Sequence, residues 1–160
     1  NRIKIVLLGG LLNDTNEYGR KVIETALQLN QESGQEIFEV FPVNFVDESV
    51  YRDRIAQTSV ILNLLNMDQY KYGKFCSGMA ECIAYRLPGI YPASYDILEE
   101  LDNASLKYTG PDDLAGLIEK LLNNREVLDT LNANAKENAL AFSMENYKQY
   151  FLDFMKNSLS

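Results

Sequence analysis

Short apolar runs alternate with amphipathic helical patterns through the first two-thirds of the chain, and few folds tolerate that alternation. "IKIVLLGG" (3–10) is a continuous apolar run closed by two glycines, the pattern of a strand buried on both faces. "LLNDTNE" leads into a helix through about Asn30 that gathers Tyr18, Val22, Ile23, Ala26 and Leu27 on one side. "EIFEVFPV" (36–43) reads as a second strand, and "DESVYRDRIAQ" (47–57) as a short helix that Asp47 could cap. "SVILNLLN" (59–66) reads as a third, deeply apolar strand. After the polar loop "MDQYKYGK" come a helix around Glu81, a strand at "GIYP", a short helix at "SYDILEEL" and a short strand at "SLKYT". Such alternation predicts an α/β fold, a parallel sheet covered by helices on both faces. Ligands of these sheets sit outside the carboxyl ends of the strands, so the loops after Leu8, Leu65 and Tyr91 are where a site is expected.

Beyond residue 110 the pattern is wholly helical. In "PDDLAGLIEKLLNN", Leu114, Leu117, Ile118, Leu121 and Leu122 recur at three- and four-residue steps behind a Pro-Asp-Asp start. A further helix is expected from about Arg125 to Ala141. The last, "MENYKQYFLDFMKNSL", lines up Tyr147, Tyr150, Phe151, Phe154 and Met155, a stripe suited to core packing or to docking on a neighbouring domain.

At 160 residues, 46% hydrophobic and 24% charged, the chain has the make-up of one ordinary domain, 1–160. A net charge of −8 argues against a nucleic-acid partner held by a basic face. Histidine is absent, which removes the usual neutral-pH general base and the commonest zinc ligand, and no metal site is expected. Cys76 and Cys82 show no metal-ligand spacing, and reduced thiols in a cytoplasmic protein are the expectation. No apolar run is long enough for a membrane span. The start at "NRIKIVLLGG", without methionine, reads as a domain cut from a longer chain.

The stretch "GKFCSGMAECIAYRLPGI" (73–90) carries the most information about function. Ser77, Gly78, Met79 and Ala80 open a helix with little side-chain bulk, and Glu81 follows one turn in. A helix start stripped of bulk offers unpaired N–H donors and the positive end of the dipole to an anion. Taken alone, Glu81 reads first as a first-turn glutamate favoured by that dipole. Gly9-Gly10 after the first strand permits either close backbone approach to a phosphate or sugar, or simply a tight turn.

"MAECIAYRLPGIYPASYDILEEL", followed by "KYTGPDDLAGLIEKLLNNREVLDTLNANAKENALAFSMENYKQYFLDFM", resembles the donor-binding C-terminal domain of GT-B glycosyltransferases. The likeness is to the retaining family with glycogen-synthase- and sucrose-synthase-like members, whose pattern is Glu-Ala-Met-Ala-x-Gly-x-Pro-Val-Ile. Glu81, Ala84, Pro88 and Ile90 keep that spacing, and Arg86 stands where the family has glycine. The likeness is good over 59–155 and looser over 1–58. It implies a Rossmann-like three-layer α/β/α sandwich ending in C-terminal helices. It also implies one half of a two-domain enzyme that transfers a sugar from a nucleoside diphosphate sugar to a saccharide, lipid or protein acceptor. In that family the glutamate matching Glu81 accepts hydrogen bonds from the ribose hydroxyls, and the backbone amides at the start of its helix meet the diphosphate. The partners implied are a nucleotide sugar as substrate, with no further cofactor, and an N-terminal acceptor domain through which peripheral membrane association could arise.

The match has gaps. A second family glutamate, eight positions earlier, falls on Gly73, although Phe75 matches an aromatic of the same pattern. The family's arginine and lysine after the first strand fall on Leu11 and Glu17, which cannot neutralise a departing diphosphate. Lys71 and Lys74, or Arg20 and Lys21, are the cations to hand, and each reads first as a solvated surface charge. Two alternatives follow: a non-catalytic glycosyltransferase-like module for binding or assembly, and an enzyme similar to the nucleoside 2-deoxyribosyltransferases. The second would use "IVLLGGLLND" and "GMAE" as glycine-rich start and nucleophile, but the residue between Met79 and Glu81 and the helical tail count against it.

Overall fold

The computed structural model describes residues 3–8, 17–43, 45–70 and 75–158. They belong to two compact units, Asn1–Gln57 and Thr58–Ser160. The chain is α/β, and all its described strand pairs are parallel.

In the first unit β1 (Ile5–Leu7) pairs with β2 (Phe38–Val40), Ile5 lying opposite Phe38. Helix α1 (Glu17–Ser33) packs on β2 through buried Ala26 and half-buried Ile23, while Tyr18, Val22 and Leu27 of the expected stripe stay exposed. Its last turn is tied to the strand by one side chain. Asn30 Oδ1 accepts from the Ile37 and Phe38 amides at 2.8 Å each, and Nδ2 donates to Phe38 O at 2.7 Å. Helix α2 (Glu48–Ala56) begins as the sequence indicates, with Asp47 accepting from the Ser49 amide at 2.9 Å.

Glu39, in the middle of β2, lies 2.8 Å from Lys4 Nζ and 2.7 Å from Arg54 Nε, so one carboxylate ties the start of the chain to α2. The Lys4 hydrogen bond, with Arg54 behind it, holds the Glu39 carboxyl below its ordinary value of 4.5 against the opposing effect of burial. A depressed folded pKa contributes stability that is complete above the unfolded value and is lost as pH falls through the folded one. Below pH 4.5, denaturant midpoints read on the first unit should therefore fall with acid, and Glu39→Gln should flatten that dependence. An unchanged acid limb in the variant would assign the acid sensitivity elsewhere.

The second unit has β3 (Ile61–Leu62), β4 (Gly89–Pro92) and β5 (Ser105–Tyr108) in that order across the sheet. Helix α3 (Ser77–Tyr85) connects the first two, and a 3-10 helix (Glu99–Ala104) connects the last two. Then follow α4 (Pro111–Asn123), α5 (Arg125–Ala141) and α6 (Met144–Ser158). Asn124 caps α5 by accepting from the Val127 amide. The expected α4 stripe is present, with Leu114, Leu117, Ile118, Leu121 and Leu122 half-buried. Helix α5 buries Leu131 and Ala135 and packs on α3 and on the 3-10 helix. Asn134 and Asn138 fasten it to Asn103.

Two sequence expectations are corrected here. The strand at 59–66 is only two residues long, because its partner runs out of donors. Asn63 N–H still donates to Ile90 O at 2.9 Å. The next rung would need an N–H from residue 92, which is proline. Tyr108 supplies the missing donor: its hydroxyl reaches from β5 to Asn63 O at 3.2 Å. The second correction concerns α6. Its aromatic stripe is not core within this unit, for every residue from Met144 to Lys156 is exposed.

Candidate functional site

The centre of the second unit is a cluster of Cys76, Met79, Cys82, Tyr91, Tyr95 and Leu101. Tyr91 is fully enclosed and stacks on Tyr95 with ring centroids 6.0 Å apart, while Tyr70 meets Tyr95 edge-on at 5.8 Å. The Tyr91 hydroxyl donates to Cys82 Sγ at 3.2 Å. Burial pushes the Cys82 thiol up to about 11, so it stays protonated at neutral pH and is no nucleophile. Burial likewise raises Tyr91, and takes Tyr95 to about 12. Both cysteines are free and buried. This cluster is a platform rather than a reactive centre.

The platform positions the start of α3 beside the carboxyl end of β3. The Cys76 amide, at the N-cap, donates to Tyr95 Oη at 3.0 Å. Gly78 lies against Asn63 so closely that a Cβ there would stand 1.8 Å from Asn63 Oδ1. Asn63 is 5% exposed, and its side chain has two long contacts: Nδ2 to Ile61 O at 3.5 Å, and Oδ1 accepting from Cys76 Sγ at 3.9 Å. The glycine that reads in sequence as an opening for a ligand thus also admits a buried carboxamide.

Ser77 and Ala80 are exposed, Gly78 is half-buried, and the Met79 side chain lies in the core. The Met79 amide donates to Cys76 O at 3.1 Å, so within the first turn its N–H is already used. No side chain caps α3 and no acid lies in its first turn, whereas α2, α4, α5 and α6 each carry at least one acid there. Glu81 follows one turn in and is half-buried. Phe75 and Leu64, next to the Cys76 and Asn63 pair in sequence, are 51% and 64% exposed and supply apolar surface. Gly9, Gly10, Lys71 and Lys74 lie outside the described residues, as do Leu11 and Gly73; Glu17 is exposed at the first position of α1. No group of three or more potential metal-ligating side chains occurs among the described residues. No helix among them is long and apolar enough to cross a membrane.

Arg86 ends α3 in the left-handed conformation, φ 56° and ψ 45°, with its amide and that of Leu87 closing the last turn on Ile83 O and Cys82 O. Glycine is the residue that adopts this conformation without steric cost. Arg86→Gly should therefore raise stability by about 1 kcal/mol, read as a higher denaturant midpoint. A lower midpoint would mean that the arginine side chain contributes more than its backbone strain costs.

Sequence reasoning does not single out Asn63, Tyr95 or Tyr108. A faint signal exists for two of them: Asn63 interrupts the apolar run "SVILNLL", and Tyr95 follows Tyr91 at a spacing of four, where the strand "GIYP" gives way to the short helix expected at "SYDILEEL".

Compared with models of known protein families and with curated proteins, the chain matches none.

Proposed function

We propose that the second unit binds a nucleoside diphosphate sugar at the start of α3, as the donor-binding part of a cytoplasmic glycosyltransferase with a Rossmann-like three-layer fold. One observation carries this reading. At the carboxyl edge of a parallel sheet, a helix begins with exposed small residues, no side-chain cap and no first-turn acid, and holds a half-buried carboxylate one turn in. The diphosphate is the anion that such a start accommodates, through backbone donors and the helix dipole. An ionised carboxylate is a strong acceptor for a pair of ribose hydroxyls. Ser77 and Gly78 would face the phosphates and Glu81 the ribose. Met79 serves chiefly as the apolar anchor of the turn. The left-handed geometry at Arg86 also favours the resemblance, since it is what glycine at that place in the family pattern would satisfy.

The test is calorimetric titration of the whole chain with UDP, GDP and ADP. Glu81→Ala should weaken the preferred nucleotide about tenfold, while Glu119→Ala, on the exposed side of α4, should leave it unchanged. Equal affinity in wild type and Glu81→Ala would remove the proposed ribose contact.

A second reading keeps the site and drops the chemistry. Glu17, where the family has a lysine, places a negative charge at the first position of α1. A leaving diphosphate needs positive charge around it. Donor binding without any donor hydrolysis or transfer by the parent protein would favour a glycosyltransferase-like binding module.

A further inference from the structure

We propose that α6 is a self-association surface through which two copies of this chain pair. Phe142, packed against the core cluster, anchors the corner before it. Ser143 O accepts from the Tyr147 amide, and Asn146 Nδ2 donates to Leu140 O at 2.8 Å, so the helix leaves the unit in a fixed direction. Beyond that corner Met144, Tyr147, Phe151 and Phe154 follow one another at steps of three, four and three, the seam spacing of paired helices, with Tyr150 and Met155 beside them. Their exposures are 80%, 61%, 60% and 58% along the seam, and 75% and 38% at its flank.

A helix of this length draws its stability from packing, since an isolated one is marginal in water. The seam therefore needs a cover. Each aromatic offers roughly 100–150 Å² at these exposures. With the methionines, two copies together would bury on the order of 1,200–1,600 Å², the range of specific interfaces. Aromatic and methionine side chains at the centre with charges kept off the seam are also the composition of such interfaces.

Charge selects the occupant. Glu145, Lys148, Asp153 and Lys156 sum to zero on α6, within a chain of net charge −8. A neutral patch on an acidic molecule is where two identical chains approach with least repulsion. It also lacks the excess of lysine or arginine by which an interfacial helix holds an anionic membrane.

Light scattering of the whole chain over a concentration series tests this. The mass should rise to that of two chains, Phe151→Asp should return it to one, and Leu152→Asp, off the seam, should not. Far-UV circular dichroism checks that both variants remain folded. Copies carrying two different tags should co-purify when mixed, and the Phe151→Asp copies should not. A single-chain mass at every concentration would overturn the proposal. In that event, exchange-protected amides from Tyr147 to Phe154 would show that the chain covers its own seam, and unprotected ones that its cover is a partner other than a second copy. A dimer that survives Phe151→Asp would overturn it equally, by placing the contact on another face.

Discussion

Gly78→Ala is expected to lower the stability of the second unit by about 3 kcal/mol. A methyl group at that position would lie 1.8 Å from Asn63 Oδ1 and 2.9 Å from Asn63 Cγ, well inside contact distance. Asn63 cannot swing clear, because it is enclosed between the end of β3 and the first turn of α3, with only 5% of its surface exposed. Either the carboxamide leaves its place or the helix start lifts from the sheet. The small gain in helix propensity from alanine offsets only part of that cost. The clash has a specific suppressor. Asn63→Ala removes the atoms in the way, so Gly78→Ala should be far less harmful in that background, with a coupling of about 2 kcal/mol in a double-mutant cycle. Simple additivity of the two substitutions would mean that Gly78 matters for another reason. Because the same turn forms the proposed anion site, nucleotide affinity should fall with Gly78→Ala and return in part in the double variant.

Gly89→Ala should cost as much or more, about 3–4 kcal/mol, without touching the proposed site. The new methyl would stand 2.3 Å from Tyr91 Cε2 and 2.6 Å from its Cζ. That ring is completely enclosed, stacked on Tyr95 and hydrogen-bonded to Cys82, so it has no vacant rotamer to enter. Gly116 is the contrast. It sits within α4 with open space where a methyl group would stand, and Gly116→Ala should stabilise by about 0.5–1 kcal/mol. Thermal or denaturant unfolding of both variants separates packing from propensity. Equal effects at the two glycines would refute the packing account of β4.

Much of the second unit can be read from local signals. The helix from Arg125 to Ala141, the Pro-Asp-Asp start of α4 and the strand at Gly89–Pro92 fall where the sequence places them, because proline and period are written into the residues that use them. What escapes depends on partners distant in sequence. The early end of β3 follows from a proline on β4, and a tyrosine on β5 supplies the donor that the proline lacks. The helix expected at "SYDILEEL" begins only at Glu99, because Tyr95 is drawn into the core, where its hydroxyl holds the Cys76 amide. Residues flanking Glu81 are legible as a helix start, but the fit of Asn63 against Gly78 is not, since nothing in a strand sequence says which side chain will lie under a helix. The exposed face of α6 is equally hidden: periodicity reveals an apolar stripe and not what lies across from it.

The central claim is that the opening turn of α3 receives a nucleotide. Backbone amide NMR of the whole chain, titrated with UDP, GDP and ADP to millimolar concentration, addresses it residue by residue. The account predicts saturable shifts for at least one of the three, centred on Ser77, Gly78 and Glu81 and absent from α5. Spectra that stay unchanged with all three nucleotides, or shifts that saturate elsewhere while Ser77 to Glu81 stay fixed, would contradict it.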